Sequence, residues 1–213
     1  MNQESKLLGY YNYTVILTYM GMLTGFVGII YVFEGNFFGS VICLMLAGLF
    51  DMFDGTVAAT KERTEMEKCF GIQIDSLSDL ICFGVLPGLI LYGMNSGNNI
   101  VLAVAGVYVL CALIRLAYFN VDEQERQKNN TSSRKLYFGL PVTMSALFIP
   151  LVYGAGKFFS WRSNSALIAS LITMAILFLI PFPIKKPKLI GKISIVLCGI
   201  CEVIFVAFVG GDV

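Results

Sequence analysis

The chain has 213 residues, 57% of them hydrophobic, and a mean hydropathy of +0.77. Soluble domains are about 45–50% apolar, so the excess excludes an ordinary soluble domain and requires a bilayer. A net charge of +1 argues against nucleic acid as a partner, and the absence of histidine removes both the commonest general base and the commonest zinc ligand.

A hydrocarbon core about 30 Å thick needs roughly 20 apolar residues per crossing helix. The chain divides into such stretches at roughly 11–33, 37–57, 70–94, 98–119, 139–159, 164–183 and 189–210; the shortest are candidates for broken or tilted helices. The expected fold is therefore all-α, a polytopic membrane helical bundle of about seven transmembrane helices, with residues 1–213 forming one membrane-embedded domain. The start MNQESKLLGYYNYT lacks the basic, apolar and small-residue order of a cleavable signal, so the first span is expected to be retained. Between the spans lie the charged loop TKERTEMEK, the turn NSGNN, the polar loop DEQERQKNNTSSRK, the link KFFSWRSN and the basic turn PIKKPK.

Alternate connections differ in charge. Lys6, Lys61, Arg63, Lys68, Arg126, Lys128, Arg134, Lys135, Lys185, Lys186 and Lys188 fall on one side, against Lys157 and Arg162 on the other. The positive-inside rule makes the first side cytoplasmic, and the expected location is the cell membrane with the site facing the cytoplasm. Cys198 and Cys201 form a lone CxxC, read as helix packing because no second pair accompanies it. Glycine-rich faces such as GMLTGFVG suit close helix packing, either within one chain or in a homodimer.

Carboxylates are costly in a span, at about 2.5–3.5 kcal/mol each at a helix centre, yet the second and third spans hold Asp51, Asp54, Asp75 and Asp79. Spacings of three and four put each pair on one helical face. A single such aspartate is well explained as a helix cap, but two pairs on neighbouring spans are not. Facing each other, they would need protons or cations in compensation. With hard oxygen donors and no histidine, the cations expected are divalent Mg²⁺ or Mn²⁺, with Ca²⁺ a further option, and a set this size has room for two ions. A proton or sodium relay in a transporter is the rival use of intramembrane carboxylates.

The stretch FDMFDGTVAATKERTEMEKCFGIQIDSLSD resembles the signature of the CDP-alcohol phosphotransferases, D-x-x-D-G-x-x-A-R followed, after about eight residues, by G-x-x-x-D-x-x-x-D. Asp51, Asp54, Gly55, Ala58, Gly71, Asp75 and Asp79 match. The resemblance implies a helical membrane fold with a dinuclear divalent-metal site, in which Asp51, Asp54 and Asp75 mainly ligate metal and Asp79, beside them, is the catalytic base. FGIQIDSLSDLICFGVLP, with Phe83, Gly84 and Pro87, is similar to the phosphatidylserine synthase branch, as are RLAYFNV and YFGLPVT. That branch implies CDP-diacylglycerol and L-serine as substrates, within membrane lipid. NYTVILTYMGMLTG is similar to the family's first helix, so Asn12, Thr14 and Thr18 are expected, with Gly55, Ala58 and Gly71, to bind nucleotide and lipid phosphate. Arg115, Ser76, Arg134 and Lys135 are candidates for the serine or phosphate side. A sister transferase using glycerol phosphate or inositol phosphate is the alternative.

Two departures stand out. Ala59 occupies the position of the family's arginine, and residues 60–70 make the gap before Gly71 longer than usual. Lys61 and Arg63 are the nearby cations that can replace it.

Overall fold

The computed structural model describes residues 8–95, 98–129, 136–160, 164–185 and 189–210. Its helices are α1 (Tyr13–Phe33), α2 (Phe37–Ala58), α3 (Glu65–Asp79), α4 (Leu86–Met94), α5 (Asn99–Asn129), α6 (Ser145–Phe158), α7 (Ser165–Leu179) and α8 (Leu189–Gly210). A π-helical turn, Leu80–Val85, joins α3 to α4 without a break, so the described residues form seven helical runs. Four of these, α1, α2, Glu65–Met94 and Asn99–Arg126, are long and apolar enough to cross a membrane. With 14 and 15 residues, α6 and α7 are shorter than the core at 1.5 Å per residue. The polytopic helical bundle is as expected, apart from one two-stranded ribbon.

Several boundaries move, each for a local reason. The third run begins at Glu65 rather than 70, because Thr64 and Glu67 form a capping box. The Glu67 N–H donates to Thr64 Oγ1 at 3.2 Å and the Thr64 N–H donates to Glu67 Oε2 at 2.8 Å. Helix α5 continues to Asn129, so the first part of the expected polar loop is helical. Its 31 residues extend about 46 Å, longer than the apolar core, and in the projecting turns Arg126 forks onto Glu123 at 3.0 and 2.5 Å.

The expected span from 139 starts instead as a ribbon and a short 3₁₀ turn, Val142–Met144. Strand β1 (Leu136–Phe138) pairs antiparallel with β2 (Pro183–Lys185), which follows the early end of α7 ahead of Pro181. Gly139 turns the chain out of β1 at φ +76°, and a Cβ there would stand 3.1 Å from the Ile180 carbonyl and 3.2 Å from that of Phe178. Both conditions demand glycine.

The glycine face of α1 is used inside the chain. A Cβ on Gly25 would meet Cys82 Sγ at 2.5 Å, and one on Gly28 would meet Cys43 Cβ at 2.9 Å, so α1 lies close against α2 and the π-helical turn. Leu44, Phe83, Leu86, Ile90, Tyr108, Ile149, Leu171 and Phe178 form the fully buried centre. On α8, Cys198 and Cys201 are free and exposed.

Pro87 has no N–H to give the Phe83 carbonyl four residues earlier. Tyr108 Oη donates to that carbonyl at 2.8 Å and Ser145 Oγ at 3.4 Å, so α5 and α6 satisfy what α4 cannot. Tyr108→Phe is expected to destabilise the bundle by about 1–3 kcal/mol, the cost of leaving a buried acceptor short of its better donor. Denaturant unfolding in detergent measures this; an unchanged midpoint would show that Ser145 alone suffices.

Candidate active site

Asp51 and Asp54 stand near the C-terminal end of α2, and Asp75 and Asp79 on α3, the next helix in the chain. The two faces meet. One carboxylate oxygen each from Asp51, Asp54 and Asp75 lie within 4.8 Å of one another. All four aspartates line one small cavity between α1, α2 and α3, together with Thr18, Ser78 and Cys82. Asp79 stands outside the three-oxygen group, one turn beyond Asp75 and immediately before the π-helical turn.

Helix α1 closes the third side. Thr18 Oγ1 donates to Asp54 Oδ2 at 3.0 Å, Ser78 Oγ donates to the Thr18 carbonyl at 3.4 Å, and Cys82 Sγ donates to the Gly21 carbonyl at 3.4 Å. These contacts fix the depth of α1 against α3 and so hold Thr18 over the carboxylates.

Among the described residues, none of the four aspartates forms an ion pair with lysine or arginine. Half-buried carboxylates gathered without a counter-charge suit a divalent cation, and three oxygens from two rigid helices form a partial cage of hard ligands. The residues present therefore fit the metal that the resemblance implies.

Beside Asp54 and Asp75 a cleft of about 210 Å³ leads out toward the α2–α3 loop. Thr14, Thr18, Gly55, Ala58 and Gly71, all expected at a nucleotide site, line it together with Asp54 and Asp75. Asn12 instead caps α1: its Oδ1 accepts from the Thr14 N–H at 3.2 Å and from the Thr14 hydroxyl, while its Nδ2 donates to Glu67 Oε1 at 3.0 Å. It braces the rim of the cleft. Ala59 is the exposed C-cap of α2. Of the two cations named as replacements, Arg63 lines the cleft, whereas Lys61 pairs with Glu67 at 3.2 Å.

On the α5 side, Ser76 Oγ donates to Asn120 Oδ1 at 2.7 Å, and Asn120 Nδ2 donates to Gln73 Oε1 at 3.3 Å. Arg115 lies inside the bundle. It is buried, stacks 5.8 Å from the centroid of Phe119, and its Nε donates to the Leu140 carbonyl at 3.4 Å. Neither Ser76 nor Arg115 is among the residues lining the cleft. Arg134 and Lys135 fall outside the described residues. Sequence reasoning passed over Lys68 in the cleft wall, Asn120 and Gln73 beside Ser76, and the Thr64–Glu67 cap; only the cap has a local signal, the T-x-x-E spacing.

Residues 11–207 match the CDP-alcohol phosphatidyltransferase family. The chain belongs to that family. The transferase is 30% identical over 192 residues to the archaetidylserine synthase of Methanothermobacter thermautotrophicus, which covers 90% of this chain and 76% of the relative. It is 34% identical over 180 residues to a CDP-diacylglycerol–serine O-phosphatidyltransferase of Methanocaldococcus jannaschii, 84% of this chain and 77% of the relative. To the Saccharomyces cerevisiae protein of the same name it is 34% identical over 129 residues, 60% of this chain and under half of the relative, 44%. Membership makes this chain a membrane transferase and replaces the transporter alternative.

Proposed function

We propose that this chain transfers a phosphatidyl group from CDP-diacylglycerol to L-serine, giving phosphatidylserine and CMP. The observation that carries the reaction type is the convergence of the two aspartate pairs on one small cavity, next to a cleft that Asp54 and Asp75 also line. Serine as acceptor is supported by the names of the relatives in three organisms.

In this reading Asn12, Thr14, Thr18, Gly55, Ala58 and Gly71 frame the cytidine and its phosphates. Gly55 leaves the backbone open to the ligand, since a Cβ there would meet nothing within 4 Å, and Gly71 makes room for the Arg63 guanidinium, whose Nη1 lies 3.3 Å from where a Cβ would stand. Asp51, Asp54 and Asp75, with Asp79 at their edge, hold two divalent ions, Mg²⁺ or Mn²⁺ in preference to Ca²⁺. When bound, these ions supply positive charge that offsets the diphosphate and the charge gathering on departing CMP. Asp79 accepts the proton of the serine hydroxyl as its oxygen attacks the lipid-side phosphorus. The new P–O bond forms as the bond to the CMP phosphate breaks, and CMP leaves with the electron pair. Ser76 and Arg115 are proposed on the acceptor side, where α5 meets α3, with Arg134 and Lys135 as further contacts at the cytoplasmic end. The acyl chains stay in lipid, and the cleft opens to the cytoplasm of the cell membrane, the side on which the α2–α3 loop cations lie.

The test is CMP release and lipid labelling by purified protein given CDP-diacylglycerol with labelled L-serine, glycerol 3-phosphate or inositol phosphate. Label is expected in lipid from serine alone. Transfer to a phosphorylated acceptor with none to serine overturns the proposal. A parallel arm with the isoprenoid-ether CDP lipid reads which tail the enzyme accepts.

A further inference from the structure

One carboxylate fastens the loop between α2 and α3. Glu67 Oε1 accepts from Asn12 Nδ2 at 3.0 Å and from Lys61 Nζ at 3.2 Å, while its Oε2 accepts from the Thr64 N–H at 2.8 Å. The cap of α1, the loop and the first turn of α3 are thus tied at a single side chain. Two cations of this region are held in ion pairs, Lys61 on Glu67 and Lys68 on Glu65, at 3.2 and 2.7 Å. Arg63, between them in sequence, forms no ion pair among the described residues. Its Nη1 lies 3.3 Å from the point where a Cβ on Gly71 would stand, and the residue lines the cleft together with Thr14 and Gly55.

A guanidinium presents a planar fork of donors matched to phosphate oxygens. Here the fork stands over a glycine in the wall of the cleft, half-buried, and no carboxylate pairs with it among the described residues. At the end of α2 the side chain of Ala59 has neither charge nor donor, and the loop of residues 60–64 brings Arg63 back over Gly71. We propose that Arg63 is the residue of this chain that grips the phosphates of the CDP-linked substrate, and that Glu67 is the positioning residue that keeps it there. The assignment rests on the reading of the cleft as the site of a CDP-activated lipid, and is independent of which alcohol accepts.

The experiment is calorimetric titration of CDP, in the presence of Mg²⁺, into the full chain in detergent. Loss of a charge-assisted contact is expected to weaken CDP binding about 10- to 100-fold in Arg63→Ala, with partial recovery in Arg63→Lys. Melting curves of both variants matching wild type show that the fold is intact. With Asn12 already replaced by alanine, to remove the other contact of Glu67, the Arg63→Ala, Glu67→Ala pair is expected to bind CDP no more weakly than Arg63→Ala alone; additive losses on that background overturn the positioning role. In turnover, Arg63→Ala should raise KM for CDP-diacylglycerol more than it lowers kcat. Equal CDP affinity in wild type and Arg63→Ala overturns the proposal. Arg63-dependent CDP binding without serine transfer sinks the serine reading and leaves this one standing, whereas wild type that binds no CDP overturns both.

Discussion

Asp54→Asn is expected to lose both CDP binding and transfer, while Asp79→Asn loses transfer and keeps CDP binding within about three-fold of wild type, a difference under 1 kcal/mol. The division follows from where the two carboxylates stand. Asp54 belongs to the close group with Asp51 and Asp75, lines the cleft, and accepts from Thr18 at 3.0 Å. Its amide replacement removes a charge from the cation cage and from the wall that the nucleotide touches. Asp79 lies outside that group, at the inner end of α3, and lines the small cavity shared by the four carboxylates rather than the cleft. A positioned base contributes about 10²–10⁴-fold to the chemical step, so its loss falls on kcat. Single-turnover CMP release alongside CDP calorimetry separates the two. Equal loss of binding in both variants contradicts the assignment and makes Asp79 an ordinary ligand.

The second large effect is metal removal. Excess EDTA is expected to bring serine-dependent CMP release to background, and Mg²⁺ or Mn²⁺ to restore it. Two like charges 4 Å apart repel by about 4 kcal/mol at an effective dielectric of 20, and this site brings three carboxylates together, with a fourth lining the same small cavity, without a lysine or arginine paired to any of them among the described residues. A bound divalent ion relieves that repulsion, so the thermal midpoint in detergent should rise with added Mg²⁺ as well, a readout independent of turnover. Full activity in excess chelator, with no shift of midpoint, would exclude the metal site.

Much of the candidate site was legible because its information is local. Asp51 with Asp54 and Asp75 with Asp79 share helical faces by spacing alone, and carboxylates are rare enough in apolar spans that two pairs demand an explanation. Where the reading missed, the missing partner lay far along the chain or competed with a composition cue. The polar run after residue 119 reads as loop, yet α5 continues through it, stabilised by Glu123 and Arg126 one turn apart. The charged stretch before Gly71 also reads as loop, although its capping box starts α3 at Glu65.

By itself the sequence determined that this protein is a membrane helical bundle, that two neighbouring helices carry a carboxylate face, and which family those faces resemble, because hydropathy and helical periodicity act over a few turns. Only the tertiary structure decided how those faces meet, that α1 lies against them with Thr18 on Asp54, and that Tyr108 and Ser145 satisfy the carbonyl which Pro87 leaves open. It also decided which loop cation reaches the cleft: Lys61 and Arg63 are two residues apart and alike in charge, but Glu67 engages one and Gly71 makes room for the other. Contacts between residues tens of positions apart depend on how the helices pack, and no local spacing encodes that packing.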